Sequence, residues 1–142
     1  VISFFLFLLC YQFFLFFFID AFILQRSTKS YAPYPIDVLV MNSLLNTPNV
    51  TYSTHVVYRG ILLGALRRLQ DSNSDFKFTY TEDPNYGPYL ESVNGLAGNN
   101  KDKTYWELQV KTTDGNITRP DVGIGCYIPS ANDQIILRYT TW

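Results

Sequence analysis

The chain has 142 residues whose charges nearly cancel, 11 Lys and Arg against 12 Asp and Glu, with no basic block. The electrostatic footprint of a nucleic-acid binder is missing, so no nucleic-acid partner is expected. One His and two Cys exclude a structural zinc site, and with Cys10 set apart in an apolar leader, the remainder must hold one core together without an internal disulfide.

Residues 1–24, VISFFLFLLCYQFFLFFFIDAFIL, contain nine of the eleven Phe and only one charge, Asp20. The run exceeds the usual apolar region of a signal peptide and is near the ~20 residues that span a bilayer, so a signal peptide and a signal anchor both fit. Either sends the rest into the secretory pathway. A secreted, extracellular protein is expected, with a membrane-anchored one carrying a lumenal or extracellular domain as the alternative. Membrane contact would come only through this segment, if uncleaved. The sequence begins at Val1 rather than Met, and the translated protein is expected to start further upstream. Residues 25–35 end in YAPYP and read as an extended linker.

The folded part is expected over 36–142. IDVLVM, from Ile36 to Met41, reads as a strand, and the polar stretch Asn42 to Asn49 as a hairpin-like connection. Val50, Tyr52, Thr54, Val56 and Tyr58 alternate with Thr51, Ser53 and His55, the period of a half-buried strand with His55 facing solvent. At Gly60 the period changes. Leu62, Ala65, Leu66 and Leu69 recur at helical spacing with Arg67 and Arg68 opposite, which predicts a short amphipathic helix over 61–71. Gly64 lowers its propensity and is expected to permit close packing on a sheet.

Phe76, Phe78 and Tyr80 alternate with Lys77 and Thr79 in a further strand, broken by Asp83-Pro84-Asn85. A short strand follows from Pro88 to Val93, ended by Asn94-Gly95. Thr104 to Lys111 alternates again, with Trp106, Leu108 and Val110 on one face and Tyr105, Glu107 and Gln109 on the other, and Asp114-Gly115 supplies a turn. Gly123 and Gly125 suggest a bent passage near Tyr127, and Ile135, Leu137 and Tyr139 make a terminal strand. Two strands, one helix and four or five more strands imply an α+β class: a β-grasp-like, mostly antiparallel or mixed sheet with a single short helix packed on it.

Little here points to catalysis. Gly123-Ile124-Gly125 has Ile128 where a dinucleotide fingerprint needs its third glycine. No pair among Asp37, Glu82, Asp83, Glu91, Glu107 and Asp121 sits in a glycosidase-like context. An enzymatic reading would rest on His55 alone, which reads as an exposed strand histidine, and no enzyme is expected. Asn99, Asn100 and Asp102 lack the spacing of a calcium loop and read as a turn. Cys126, in GIGCYIP, reads as a small buried thiol. Asn49-Val50-Thr51 and Asn116-Ile117-Thr118 are sequons at expected turns or strand ends, so Asn49 and Asn116 are candidate glycosylation sites.

Several landmarks stand in a fixed order: LLGALRRLQ, FKFTY, YGPYLESVNGLA, KTYWEL, VGIGCYIP and ILRYTTW. In that order the folded part resembles the small C-terminal β domain of the cobalamin carriers, the intrinsic factor and transcobalamin family. Residues 1–35 do not resemble the helical α/α barrel that precedes this domain in the carriers, where the vitamin is buried between the two. The resemblance implies cobalamin, or a related corrinoid, as ligand and partner. It puts one border of the corrin ring on Asn85, Tyr86, Gly87, Pro88, Tyr89 and Leu90, and another on Trp106, Glu107, Leu108, Gln109 and Val110. Flat apolar groups beside amide donors and acceptors suit such a disc, and Gly87 would let backbone approach it. By period alone, Trp106, Leu108 and Val110 also fit a core-facing strand, and Tyr89 could pack on the helix.

The segment KTTDGNITRPD departs from the carriers, being charged and carrying a sequon where they place a ligand-facing hairpin. A non-enzymatic domain supplying one side of a corrin site is the reading this supports, with a separate helical domain or a receptor as a further partner. Its alternative is an extracellular module that kept the fold, lost the vitamin and holds a protein or glycan.

Overall fold

The computed structural model describes residues 32–85 and 87–142. The leader and most of the linker lie outside the described residues, as does Tyr86. The strands are β1 (Tyr34–Asn42), β2 (Val50–Val56), β3 (Phe78–Asp83), β4 (Gly87–Val93), β5 (Leu96–Ala97), β6 (Thr104–Lys111), β7 (Ile117–Thr118) and β8 (Gln134–Thr141), with the helix α1 (Leu62–Ser72) between β2 and β3. They form a five-stranded sheet in the order β2-β1-β8-β6-β7 and a three-stranded sheet in the order β3-β4-β5. Among the described residues only the β1–β8 pair is parallel, so the fold is mixed, α+β and β-grasp-like.

Strand register explains the core. Tyr52, Val38, Ile135 and Val110 lie in one row across the large sheet, and Val40, Leu137 and Leu108 in the next. Trp106 stands opposite Tyr139, with ring centroids 5.2 Å apart. Because side chains alternate across a strand, these rows share one face. They bury there with Leu62, Leu66 and Leu69 of α1 and with Phe76, Phe78, Leu90 and Val93 around the small sheet. His55 faces solvent, as its alternation predicts.

The ends of the elements differ from expectation for local reasons. β1 begins at Tyr34, inside the expected linker, because Tyr34 and Pro35 already pair with Val56 and His55 and the Tyr34 hydroxyl donates to the Pro129 carbonyl at 2.6 Å. Phe76 precedes its strand rather than opening it. There the Lys77 N–H donates to the Asn94 side chain, and Phe78, which opens the strand, donates its N–H to the Gln70 side chain. Gly64 is exposed, and a Cβ built there would meet nothing within 4 Å, so it does not serve close packing on a sheet.

The helix has no side-chain cap and no acidic residue in its first turn. Two of the N–H groups that a helix start leaves unpaired are satisfied from a distant loop instead, Leu62 by the Tyr127 carbonyl at 2.8 Å and Leu63 by the Ile124 carbonyl at 2.9 Å. The glycine-containing passage expected near Tyr127 is therefore a tertiary cap. Tyr127 is fixed in turn by donating to Asp133 at 3.2 Å. Burial, then the Asp133 charge, pushes the Tyr127 hydroxyl up to about 12. Cys126, in the same passage, is exposed rather than buried, because the turn aims Ile124 into the core and leaves its neighbours outside.

Candidate functional site: an open groove between β4 and β6

β4 and β6 approach each other without pairing, and an open cavity of about 790 Å³ lies between them. Tyr89, Leu90 and Glu91 line it from β4, and Thr104, Tyr105, Trp106 and Glu107 from β6. A smaller hollow of about 230 Å³ continues it past Leu108, Arg119, Val122 and Ile124. Leu90, Trp106 and Ile124 are buried and form its apolar base, whereas Tyr89 at 53 % and Trp142 at 62 % exposure stand at its rim.

The polar groups converge on one carboxylate. Glu107 is only 9 % exposed, and it accepts from the Tyr105 hydroxyl at 2.5 Å and from the Gln109 amide at 2.6 Å. Arg119 faces it at 3.9 Å with a largely exposed side chain. Such a pair, half in water, is weak, and the guanidinium is free to turn toward a bound molecule. Burial, then the hydrogen bond to Glu107 and its charge, raises the Tyr105 pKa, so Tyr105 stays a neutral donor at physiological pH. The Trp106 indole N–H is already used, donating to the Leu96 carbonyl at 2.7 Å. Trp106 thus offers a ligand its apolar edge and no free donor.

The two segments singled out in the sequence meet here only in part. Tyr89, Leu90, Trp106, Glu107 and Leu108 line the groove or its extension. Tyr89 does not pack on the helix. Val110 is 1 % exposed and belongs to the core, and Gln109 reaches the groove only through Glu107. Gly87, the first residue of β4, adopts φ +73. Pro88 is covered by the Gly123 to Gly125 turn, where a Cβ at Gly125 would come within 2.7 Å of the proline ring. Asn85 donates its backbone N–H to Asp83 and is exposed.

Sequence reasoning missed Tyr105, Glu91, Arg119 and Trp142. Tyr105 could have been found from the polar face of β6. Arg119 lies in the charged segment KTTDGNITRPD. Trp142 touches Tyr105 edge-on at 6.0 Å between centroids and donates its backbone N–H to the Lys103 carbonyl. Its position follows from the β6–β8 register, which no short motif encodes. Asn49 and Asn116 are both exposed. Among the described residues no group of three His, Cys, Asp or Glu could hold a metal ion, and no helix is long and apolar enough to cross a membrane.

Fold and groove together define a β domain of the cobalamin-carrier kind. The family described as a domain of unknown function, DUF4430, matches residues 61–141, and the chain belongs to it. The cobalamin binding intrinsic factor of Mus musculus is 34 % identical over 94 residues, which cover 66 % of this chain and 21 % of the relative. Transcobalamin-1 of Homo sapiens is 43 % identical over 63 residues, 42 % of this chain and 14 % of the relative. The chain therefore spans about a fifth or less of the length of these relatives. Haptocorrin, solved in complex with Cbi, superposes with a TM-score of 0.66 at 23 % identity, covering 79 % of this chain and 26 % of haptocorrin, and shows the shared fold.

Proposed function

We propose that the groove between β4 and β6 is one side of a corrinoid site, and that the protein is a non-enzymatic, cobalamin-binding domain. One observation carries this reading: Tyr89 and Leu90 of one segment and Trp106 and Glu107 of the other, both of which the resemblance to the carriers assigns to the corrin border, line a single open cavity of about 790 Å³. Its chemistry suits a broad disc with an amide rim. Leu90, Trp106 and Tyr89 supply apolar and aromatic surface, the Glu107 carboxylate and the Tyr105 hydroxyl oxygen can accept from a primary amide, and Arg119 can donate to a carbonyl. The site residues proposed are Tyr89, Leu90, Trp106, Glu107 and Leu108, with Asn85, Gly87 and Pro88 shaping the approach and Gln109 and Val110 supporting from behind; Tyr86 is proposed on the resemblance alone.

An open groove covers one face of a large ligand and falls short of the ~70–90 % burial typical of enclosed sites. A second surface, a separate helical domain or a receptor, would complete it. The apolar segment 1–24 acts as signal peptide or anchor, residues 25–35 as linker, and the groove then works outside the cell or in the lumen. Asn49 and Asn116 carry glycans in that compartment, and both lie off the groove lining. Isothermal titration of the full chain with cyanocobalamin and with cobinamide tests the reading. Heat from both, with weaker binding than an enclosed site gives, is expected; no heat from either at millimolar ligand defeats it.

A further inference from the structure

The five-stranded sheet ends in β2 on one side and in β7 on the other, and a sequon stands at the start of each. Asn49 directly precedes β2, and Asn116 directly precedes β7. Among the described residues no strand pairs with the outer edge of either.

The edge of β2 is the longer of the two, and its neighbours on β1 show which backbone groups face outward. Pro35, opposite His55, has no N–H to give, and the Asp37 N–H, opposite Ser53, donates the other way, to the Asp133 carbonyl at 3.1 Å. Bonded and unbonded pairs alternate along an antiparallel ladder, so the N–H and C=O groups of Thr51, Ser53 and His55 point away from β1. The Arg68 side chain donates to one of them, the His55 carbonyl, at 3.0 Å. Thr51 and Ser53 are exposed, and so are Val50 and Val57 at the two ends of the edge.

Such an edge is a template for another strand, and proteins blunt it with lysine, proline, bulges or shortness. β2, VTYSTHV, has seven residues rich in strand formers and none of Asp, Glu, Lys, Arg or Pro. β7 is only two residues long and runs directly into Arg119-Pro120. The second edge is blunted by its own sequence, and the first is not.

We infer that the glycan on Asn49 guards the edge of β2, and that without it two copies of this chain join by antiparallel pairing of β2 with β2. The inference rests on the glycosylation proposed above and not on the corrin reading. The edge is self-complementary about Ser53: a two-fold axis there sets Ser53 against Ser53 and Thr51 against His55, each with outward backbone groups to exchange. The same register sets Asn49 against Val57 of the second copy. A bulky polar glycan on Asn49 stands where that chain must pass.

The full chain from a glycosylating secretory host is compared with its N49Q and N116Q variants by analytical ultracentrifugation, after mass spectrometry has read the occupancy of each sequon. The leader is common to all three and cannot account for a difference. The parent and N116Q should be monomers, and N49Q a dimer with slowed amide exchange at Thr51, Ser53 and His55. Adding Ser53→Lys to N49Q should restore the monomer, because two lysines then face each other across the axis. Trimming folded N116Q with an endoglycosidase removes the Asn49 glycan without substituting the residue, and should also give the dimer. An unglycosylated Asn49 in the parent defeats the glycosylation reading and the inference with it. A glycosylated Asn49 whose loss leaves a monomer, or a dimer that exchanges freely at 51–55 or survives Ser53→Lys, overturns the inference alone.

Discussion

The two edges of β6 differ as sharply as any two regions of the molecule. Toward β8 the strand pairs along its whole length, and Trp106 and Val110 are locked against Tyr139 and Ile135. Toward β4 the same strand borders a cavity, and among the described residues no strand ladder pairs with it from Tyr105 to Gln109. A strand's side chains alternate between faces while its backbone groups alternate between edges, so one short sequence builds both a core and a groove wall. The lesson is that substitutions on the first side should cost stability, whereas substitutions at the groove rim should cost ligand and leave the fold intact.

The largest test of this division is Leu137→Ala. Leu137 is fully buried between Val40 and Leu108 in register, and its truncation should cost about 2–5 kcal/mol in urea denaturation. Gly125→Ala comes next. The new methyl would meet the Pro88 ring at 2.7 Å, so either the turn or β4 must shift, at about 1–3 kcal/mol, and the groove wall moves with it. A variant as stable as the parent would contradict the tight approach.

Tyr127→Phe sharpens the comparison through pH. Tyr127 has its folded-state pKa raised to about 12, against ~10 for an unfolded tyrosine. A raised pKa contributes stability that is fully present below pH ~10 and is lost as pH rises through about 12. Relative to the variant, the parent should therefore lose stability across that window, while at pH 7 the variant is weaker by about 1 kcal/mol for the missing bond to Asp133. A pH-independent difference would show that burial and the Asp133 charge do not raise the phenol. The smallest effect is a gain: Gly64→Ala, on an exposed helix position with open space, should stabilise by about 0.5–1 kcal/mol in thermal denaturation.

Much of the fold was legible because its signals are local. The alternation from Thr104 to Lys111 predicts β6 with its observed bounds, and the Leu62, Ala65, Leu66, Leu69 spacing places α1 within one residue at each end. The fate of Cys126 was not legible, since a turn preceded by glycines can aim a side chain either way. The groove was half legible. Tyr89 and Trp106 stand in motifs whose order carries the family resemblance, but Arg119 and Trp142 reach the site through pairing between strands far apart in sequence. The helix cap was hidden for the same reason, because its acceptors, the carbonyls of Ile124 and Tyr127, lie some sixty residues beyond Leu62 and are backbone atoms that any residue could supply.

The central claim is that the rim between β4 and β6 meets the corrinoid, and Tyr89→Ala tests it most directly. Tyr89 is 53 % exposed and makes no core contact that the fold needs, so its truncation should leave the melting temperature unchanged within the ±0.5 kcal/mol usual for surface positions. Titrated with cyanocobalamin beside the parent chain, the variant should bind about tenfold more weakly, in line with the loss of an aromatic contact and its buried area. Equal affinity in the two proteins would remove the rim from the site and contradict the account.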